Sequence, residues 1–121
     1  MENSYAMVTT LYGTMAAGAV SVPLNTSVSD EAIIAMLGDA GIAALVVSER
    51  FRERFDALRE SLPEGVLYIC DVAAPGWQSI EVLSAGQSVQ LPSQSIADDA
   101  PLNIIYSSGT TGLPKGILHT H

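Results

Sequence analysis

Short apolar segments alternate along this chain with segments whose apolar residues recur at helical spacing. The apolar runs at 19–24, 43–47, 66–70 and 102–106 each have the length of one buried strand. Two parallel strands need a long crossover between them, usually a helix, and the intervening segments can supply it. The alternation therefore predicts an α/β fold with a mostly parallel sheet.

Helix boundaries are marked in the sequence by capping residues. A first helix is predicted at 5–17 with Gly18 as its stop, and a second between Ser29 and Gly41. A short helix is predicted at 79–84. On the first helix, the apolar residues that share one face are Val8, Leu11, Tyr12 and Met15.

A further helix has the clearest periodicity in the chain. Its apolar face is formed by Phe51, Phe55, Leu58 and Leu62. Four of the five basic residues lie in the same segment, namely Arg50, Arg52, Arg54 and Arg59. We interpret this arginine cluster as mainly a solvated helix face. The stretch 86–99 is rich in Ser, Gln and Pro without periodicity, which predicts a surface connection.

The charge balance and the cysteine content restrict the function classes. A net charge of −8 disfavours nucleic acid as a partner, because few cations could neutralise a phosphate backbone. Cys70 is the only cysteine, so it can form no internal disulfide, and its apolar neighbours suggest a buried thiol in a reducing, cytoplasmic setting. We predict neither a signal peptide nor a membrane span, because glycines, Pro23 and hydroxyl residues interrupt the uncharged stretch 3–29.

A glycine-rich segment at 107–116 has the chemistry of a P-loop-like phosphate cradle. Glycines let backbone N–H groups approach phosphate oxygens closely, and short hydroxyl side chains add donors. Lys115, the only lysine in the chain, supplies a cation for charge-assisted contacts. The predicted phosphate-binding residues are Ser107, Ser108, Gly109, Thr110, Thr111, Gly112, Pro114, Lys115 and Gly116.

Two common nucleotide-binding loops do not fit this segment. A Walker loop needs glycine immediately before its lysine and a hydroxyl residue immediately after it, whereas Pro114 precedes Lys115 and Gly116 follows. A dinucleotide-binding loop begins Gly-x-Gly, which is missing here. The segment therefore predicts neither a Walker loop nor a dinucleotide-binding loop, and the alternative to another kind of phosphate loop is a glycine-serine surface connection without chemical meaning.

The stretch 104–115, Ile-Ile-Tyr-Ser-Ser-Gly-Thr-Thr-Gly-Leu-Pro-Lys, resembles the signature of the AMP-forming adenylating superfamily. The stretch 17–25, Ala-Gly-Ala-Val-Ser-Val-Pro-Leu-Asn, also resembles a strand of that family. The superfamily includes acyl-CoA synthetases such as those of fatty acid metabolism, adenylation domains of peptide synthetases, and beetle luciferases. The resemblance covers essentially the whole chain and implies part of the large N-terminal domain of an adenylate-forming enzyme.

The resemblance also implies a two-step reaction. A carboxylate attacks the α-phosphate of ATP to give an acyl-adenylate and pyrophosphate, and a thiol, usually coenzyme A, then takes the acyl group. The glycine-rich loop would steady the β- and γ-phosphates, with Lys115 in a supporting role. The catalytic lysine, the acyl pocket and the Mg²⁺ ligands of the family would lie outside residues 1–121.

We therefore expect residues 1–121 to be a partial N-terminal AMP-binding domain, truncated at both ends and inactive without the rest of the N-terminal domain and the C-terminal domain. Its partners in the intact enzyme would be ATP and a carboxylic acid. Two alternatives stay open: a non-catalytic remnant, and an adenylation domain that loads the phosphopantetheine of a carrier protein.

Several other polar or aromatic residues have a structural interpretation. His119 and His121 could share one strand face, but two histidines without a third ligand are weak evidence for a metal site, and we predict none. Asp98 and Asp99 are interpreted as a solvated turn before a strand. Trp77 is interpreted as a partly buried loop anchor.

Overall fold

The structure is a computed structural model that describes residues 1, 3–90, 92–93, 95–107 and 114–121. Its helices are α1 (Tyr5–Ala16), α2 (Asp30–Ala40), α3 (Glu49–Leu58), a 3₁₀ turn (Arg59–Ser61) and α4 (Ile80–Ser84). Its strands are β1 (Ala44–Val47), β2 (Leu67–Cys70), β3 (Gln78–Ser79), β4 (Pro101–Ser107) and β5 (Lys115–Thr120). The predicted α/β class is confirmed.

The strands form two separate sheets in the described part of the chain. One is parallel with the order β1-β2-β3, and α3 makes the crossover between β1 and β2. The other is an antiparallel pair, β4-β5. Strand β3 was not predicted, because it is only two residues long. Strand β5 has no apolar alternation to mark it, and a strand there was considered only as a face that His119 and His121 could share.

The hydrophobic core lies between the parallel sheet and helices α2 and α3. Its fully buried side chains are Phe55, Ile33, Leu37, Val47 and Cys70. Cys70 is thus the buried thiol that the sequence predicted, and burial raises its pKa. Trp77 is 7% exposed and packs edge-on against Tyr68, which confirms its role as an anchor.

Helix α2 shows how local chemistry sets an element's ends. The Ser29 hydroxyl accepts a hydrogen bond from the Ala32 backbone N–H at 3.3 Å, and Asp30 and Glu31 occupy the first turn, where the helix dipole favours negative charge. Gly41 ends the helix with a left-handed backbone at φ 59°. Both boundaries agree with the prediction.

Segment 19–24 was predicted to be a strand, and that prediction is wrong. Only Ser21 makes a bridge, in parallel with Asn103 of β4. Its N–H donates to the Leu102 carbonyl at 3.1 Å, and its carbonyl accepts from the Ile104 N–H at 2.9 Å. Pairing goes no further toward the C-terminus, where Pro23 has no N–H to donate.

The interpretation of the arginine cluster as mainly solvated is also wrong. Arg54 donates to the Asp30 carboxylate and to the Val28 carbonyl at 2.7 Å each. Arg59 lies 4.0 Å above the Tyr68 ring and bonds the Asp56 carboxylate at 3.1 Å. The guanidinium groups therefore tie α3 to the segment before α2 and to the region around Trp77.

Helix α1 forms where it was predicted but buries none of its residues within the described chain. Val8 is 52% exposed and Tyr12 is 66% exposed, although both lie on the apolar face. No helix among the described residues is both long enough and apolar enough to cross a membrane. Asp98 and Asp99 lie in an exposed turn before β4, as predicted.

Candidate phosphate-binding site

Strands β4 and β5 flank the glycine-rich segment and hold its two ends side by side. Ser107, the last residue of β4, is the register partner of Lys115, the first residue of β5. The preceding pair is Tyr106 and Gly116. The predicted residues Ser108, Gly109, Thr110, Thr111 and Gly112 lie outside the described residues. The structure therefore fixes where the segment leaves the sheet and where it returns.

The pairing register puts the two polar side chains at this point on the same face of the hairpin. Directly opposed residues of an antiparallel pair project to one side, so the side chains of Ser107 and Lys115 leave the hairpin on the same face. Both residues are exposed. Together they offer a hydroxyl donor and a cation to an anion that approaches this face. Pro114, also predicted to belong to the site, is half-buried directly before Lys115.

Gly116 lies against the Tyr106 ring on the opposite face, where a side chain would be crowded. A Cβ at this position would lie 3.1 Å from two atoms of the Tyr106 ring and 3.0 Å from the Ile104 side chain. Such distances are too short for unstrained contacts, so alanine would displace the ring. The sequence marked Gly116 as a site residue, and the structure gives it a packing role.

Tyr106 also bonds a residue that the sequence did not indicate. Its phenol donates a hydrogen bond of 2.6 Å to Asp39, which lies in the last turn of α2. Burial, followed by the hydrogen bond and the charge of Asp39, raises the pKa of Tyr106 to about 12. The phenol therefore stays a donor at any physiological pH. The sequence offered one indication of this contact, namely Asp39 itself. A carboxylate is unfavourable at the C-terminal end of a helix, so its presence there suggests a partner elsewhere in the fold.

Strand β4 is thus held from three directions. The backbone at Ser21 bonds one edge, β5 bonds the other, and Asp39 bonds the Tyr106 side chain near its C-terminal end. A phosphate loop needs such a rigid base, because donors that are already in place lose less entropy on binding.

The two histidines are not brought together as a metal site. His119 Nδ1 lies 2.7 Å from the Asn103 side-chain oxygen across the hairpin, and the His121 backbone N–H donates to the Ala100 carbonyl at 3.1 Å. No group of three or more His, Cys, Asp or Glu side chains in the described ranges could hold a metal ion.

A cavity of about 800 Å³ lies between α1, segment 19–24 and β1. Ile104 of the hairpin borders this cavity.

Comparison with known proteins gives a consistent family assignment. Residues 1–121 match the family described as AMP-binding enzyme. The indoleacetate–CoA ligase of Aromatoleum aromaticum is 36% identical over 118 residues, which is 96% of this chain and 23% of the ligase. A linear gramicidin synthase of Brevibacillus parabrevis is 32% identical over 122 residues, or all of this chain and 1% of that protein.

A solved structure shares the fold of nearly the whole chain. The anthranilate CoA ligase AuaEII, in complex with anthranoyl-AMP, superposes with a TM-score of 0.88 at 28% identity. The match covers 97% of this chain and 23% of the ligase. The chain thus spans about a quarter of the length of the CoA ligases it matches.

Proposed function

The chain belongs to the AMP-binding enzyme family, and we propose that it forms the phosphate-handling part of an ATP-dependent, acid-activating ligase. In the proposed reaction a carboxylate attacks the α-phosphate of ATP, the bond to the β-phosphate breaks, and pyrophosphate leaves. The thiol of coenzyme A then attacks the acyl carbon of the adenylate and gives up its proton, the acyl–phosphate bond breaks, and AMP leaves. Residues 107–116 would contact the β- and γ-phosphates.

The observation that carries this proposal is the pairing of Ser107 with Lys115 at the base of the glycine-rich segment. Negative charge accumulates on the pyrophosphate as it leaves, so a cation and a hydroxyl donor fixed beside it stabilise the transition state more than the bound ATP. Backbone N–H groups of 108–112 and the hydroxyls of Ser108, Thr110 and Thr111 would complete the cradle. Mg²⁺ would enter with ATP and offset phosphate charge.

Coenzyme A is the acceptor we favour, because several relatives are named as CoA ligases. Similarity to a linear gramicidin synthase keeps a carrier-protein phosphopantetheine as the second candidate. The relatives are named for aromatic acids and for long-chain fatty acids. We therefore propose the class of reaction and not one acid, and we include fatty acids among the candidate substrates. The buried thiol of Cys70 supports a cytoplasmic location.

The test is ATP–pyrophosphate exchange by an intact enzyme that contains this segment, assayed with a panel of aromatic and long-chain acids. The wild type should exchange label with at least one acid. Lys115→Ala should slow the exchange about a hundredfold, the size of effect expected when one donor or charge at a transition state is removed. Transfer from preformed acyl-adenylate to the thiol should change much less, because pyrophosphate has already left.

Two control variants separate the role of the lysine from a general charge effect. Lys115→Arg keeps the cation and should retain more exchange than the alanine variant. Arg50→Gln removes one positive charge from an exposed position of α3 and should leave the exchange rate unchanged. An alanine variant with the wild-type exchange rate would refute the role of Lys115, and an exchange-inactive wild type would favour a non-catalytic remnant.

A further inference from the structure

We propose that Asp39 and Tyr106 are positioning residues that hold the end of β4, the point from which the glycine-rich segment leaves the hairpin, against the end of α2. This inference rests on the proposed function, because it assigns a role within the same site. It concerns two residues outside the predicted set of loop residues. Neither is expected to touch ATP.

Asp39 lies where local rules disfavour it. It occupies the last turn of α2, where the partial negative charge of the helix end repels a carboxylate, and that turn has no basic residue. Aspartate is also a poor helix former. A residue that breaks local rules in this way is accounted for by a contact elsewhere, and the observed contact is the 2.6 Å bond from the Tyr106 hydroxyl.

The bond acts on the loop through Gly116. Tyr106 and Gly116 are register partners, and the ring lies so close to the glycine that a Cβ there would push it away by a few tenths of an ångström. The next pair toward the glycine-rich segment is Ser107 with Lys115. The position of the phenol therefore controls both strands at the point where the chain leaves the sheet.

The position along the chain explains why such a bond is useful. Asp39 and Tyr106 are 67 residues apart, so the bond joins α2 to a hairpin from a distant part of the sequence. Without it the end of β4 would keep the backbone pairing to β5 but would lose its side-chain attachment to the helix. More of the ATP binding energy would then be used to order the hairpin end.

The experiment compares Tyr106→Phe, Asp39→Ala and the double variant in the intact enzyme, using ATP–pyrophosphate exchange. Each single variant should raise KM for ATP about tenfold, the cost of one hydrogen bond to a charged group. KM for the acid should stay at the wild-type value. The double variant should resemble the singles, because each single change already breaks the same bond. A loss of folded enzyme would change neither KM value.

Conservative and matched variants sharpen the test. Asp39→Asn keeps an acceptor oxygen and should stay within about threefold of wild type. Gly116→Ala, which displaces the ring, should reproduce the effect of Tyr106→Phe. Tyr12→Phe and Asp98→Ala make the same side-chain changes at exposed positions and should leave KM for ATP unchanged.

The outcomes distinguish this inference from the proposed function. Wild-type KM for ATP in Tyr106→Phe and Asp39→Ala, together with a large loss of exchange in Lys115→Ala, would overturn the positioning role and leave the proposed function intact. Additive effects in the double variant would also overturn it, because the two residues would then act separately. An exchange-inactive wild type would overturn both.

Discussion

Replacing Asp56 by alanine should destabilise the parallel-sheet half of the chain by removing three bonds at once. One carboxylate oxygen of Asp56 accepts from the Trp77 indole N–H at 2.8 Å and from Arg59 at 3.1 Å. The other accepts from Arg52 at 3.1 Å. Asp56 thus connects α3 to the anchor residue next to β3.

The magnitude is set mainly by the indole. Trp77 is 7% exposed, so its N–H would lose its partner in a nearly buried position, at a cost of about 1 to 3 kcal/mol. The two ion pairs are partly exposed and contribute about 0.3 to 0.5 kcal/mol each. The higher helix propensity of alanine offsets about 0.5 kcal/mol. The expected net loss is about 2 kcal/mol.

The assay is urea unfolding of dilute protein followed by fluorescence of Trp77, the only tryptophan. Asp56→Asn is the matched control, because it keeps an oxygen acceptor for the indole and loses only the ion pairs, which amounts to about 0.5 to 1 kcal/mol. The alanine variant should therefore unfold at a clearly lower urea concentration than the asparagine variant. Equal midpoints for the two would refute the assignment of the cost to the indole.

Two further predictions concern the hairpin and the uncovered surfaces. The difference between the phenolate absorbance titrations of the wild type and of Tyr106→Phe should have its midpoint near pH 12. A midpoint near the ordinary value of about 10 would contradict both the burial of the phenol and its bond to Asp39. Because burial raises this pKa, the stability that it contributes is complete below pH about 10 and is lost as pH rises toward 12. The isolated chain should associate as its concentration rises, because it exposes apolar side chains that are each at least half accessible, namely Val8, Tyr12, Ile117 and Leu118. Light scattering measures this association. A monodisperse monomer at every concentration would contradict the prediction.

Elements with local signals were predictable from the sequence. Helix α2 begins after Ser29 and ends at Gly41, and both positions follow from hydrogen bonding and backbone conformation within a few residues. Helix α3 was predictable because Phe55 and Leu58 repeat on one face that is buried. Such signals need no knowledge of the rest of the chain.

Features that depend on distant partners were not predictable in the same way. The arginines of α3 lie between apolar residues, as on a solvated face, but their bonds to Asp30 and Gly76 depend on the fold. Strand β5 exists through its pairing with β4, which periodicity does not indicate. The apolar face of α1 was identified correctly as apolar, yet the described chain does not cover it.

The candidate site combines both kinds of information at one place. The glycine-rich segment has a strong local signature, so the proposal that it and Lys115 bind phosphate could be made from the sequence alone. The geometry at its base depends on two residues that are unfavourable by local rules: an aspartate at the end of a helix and a glycine within a strand, Asp39 and Gly116. Tyr106 contacts both positions, so the two local costs support one arrangement. This coincidence is what favours a positioning role over two unrelated irregularities.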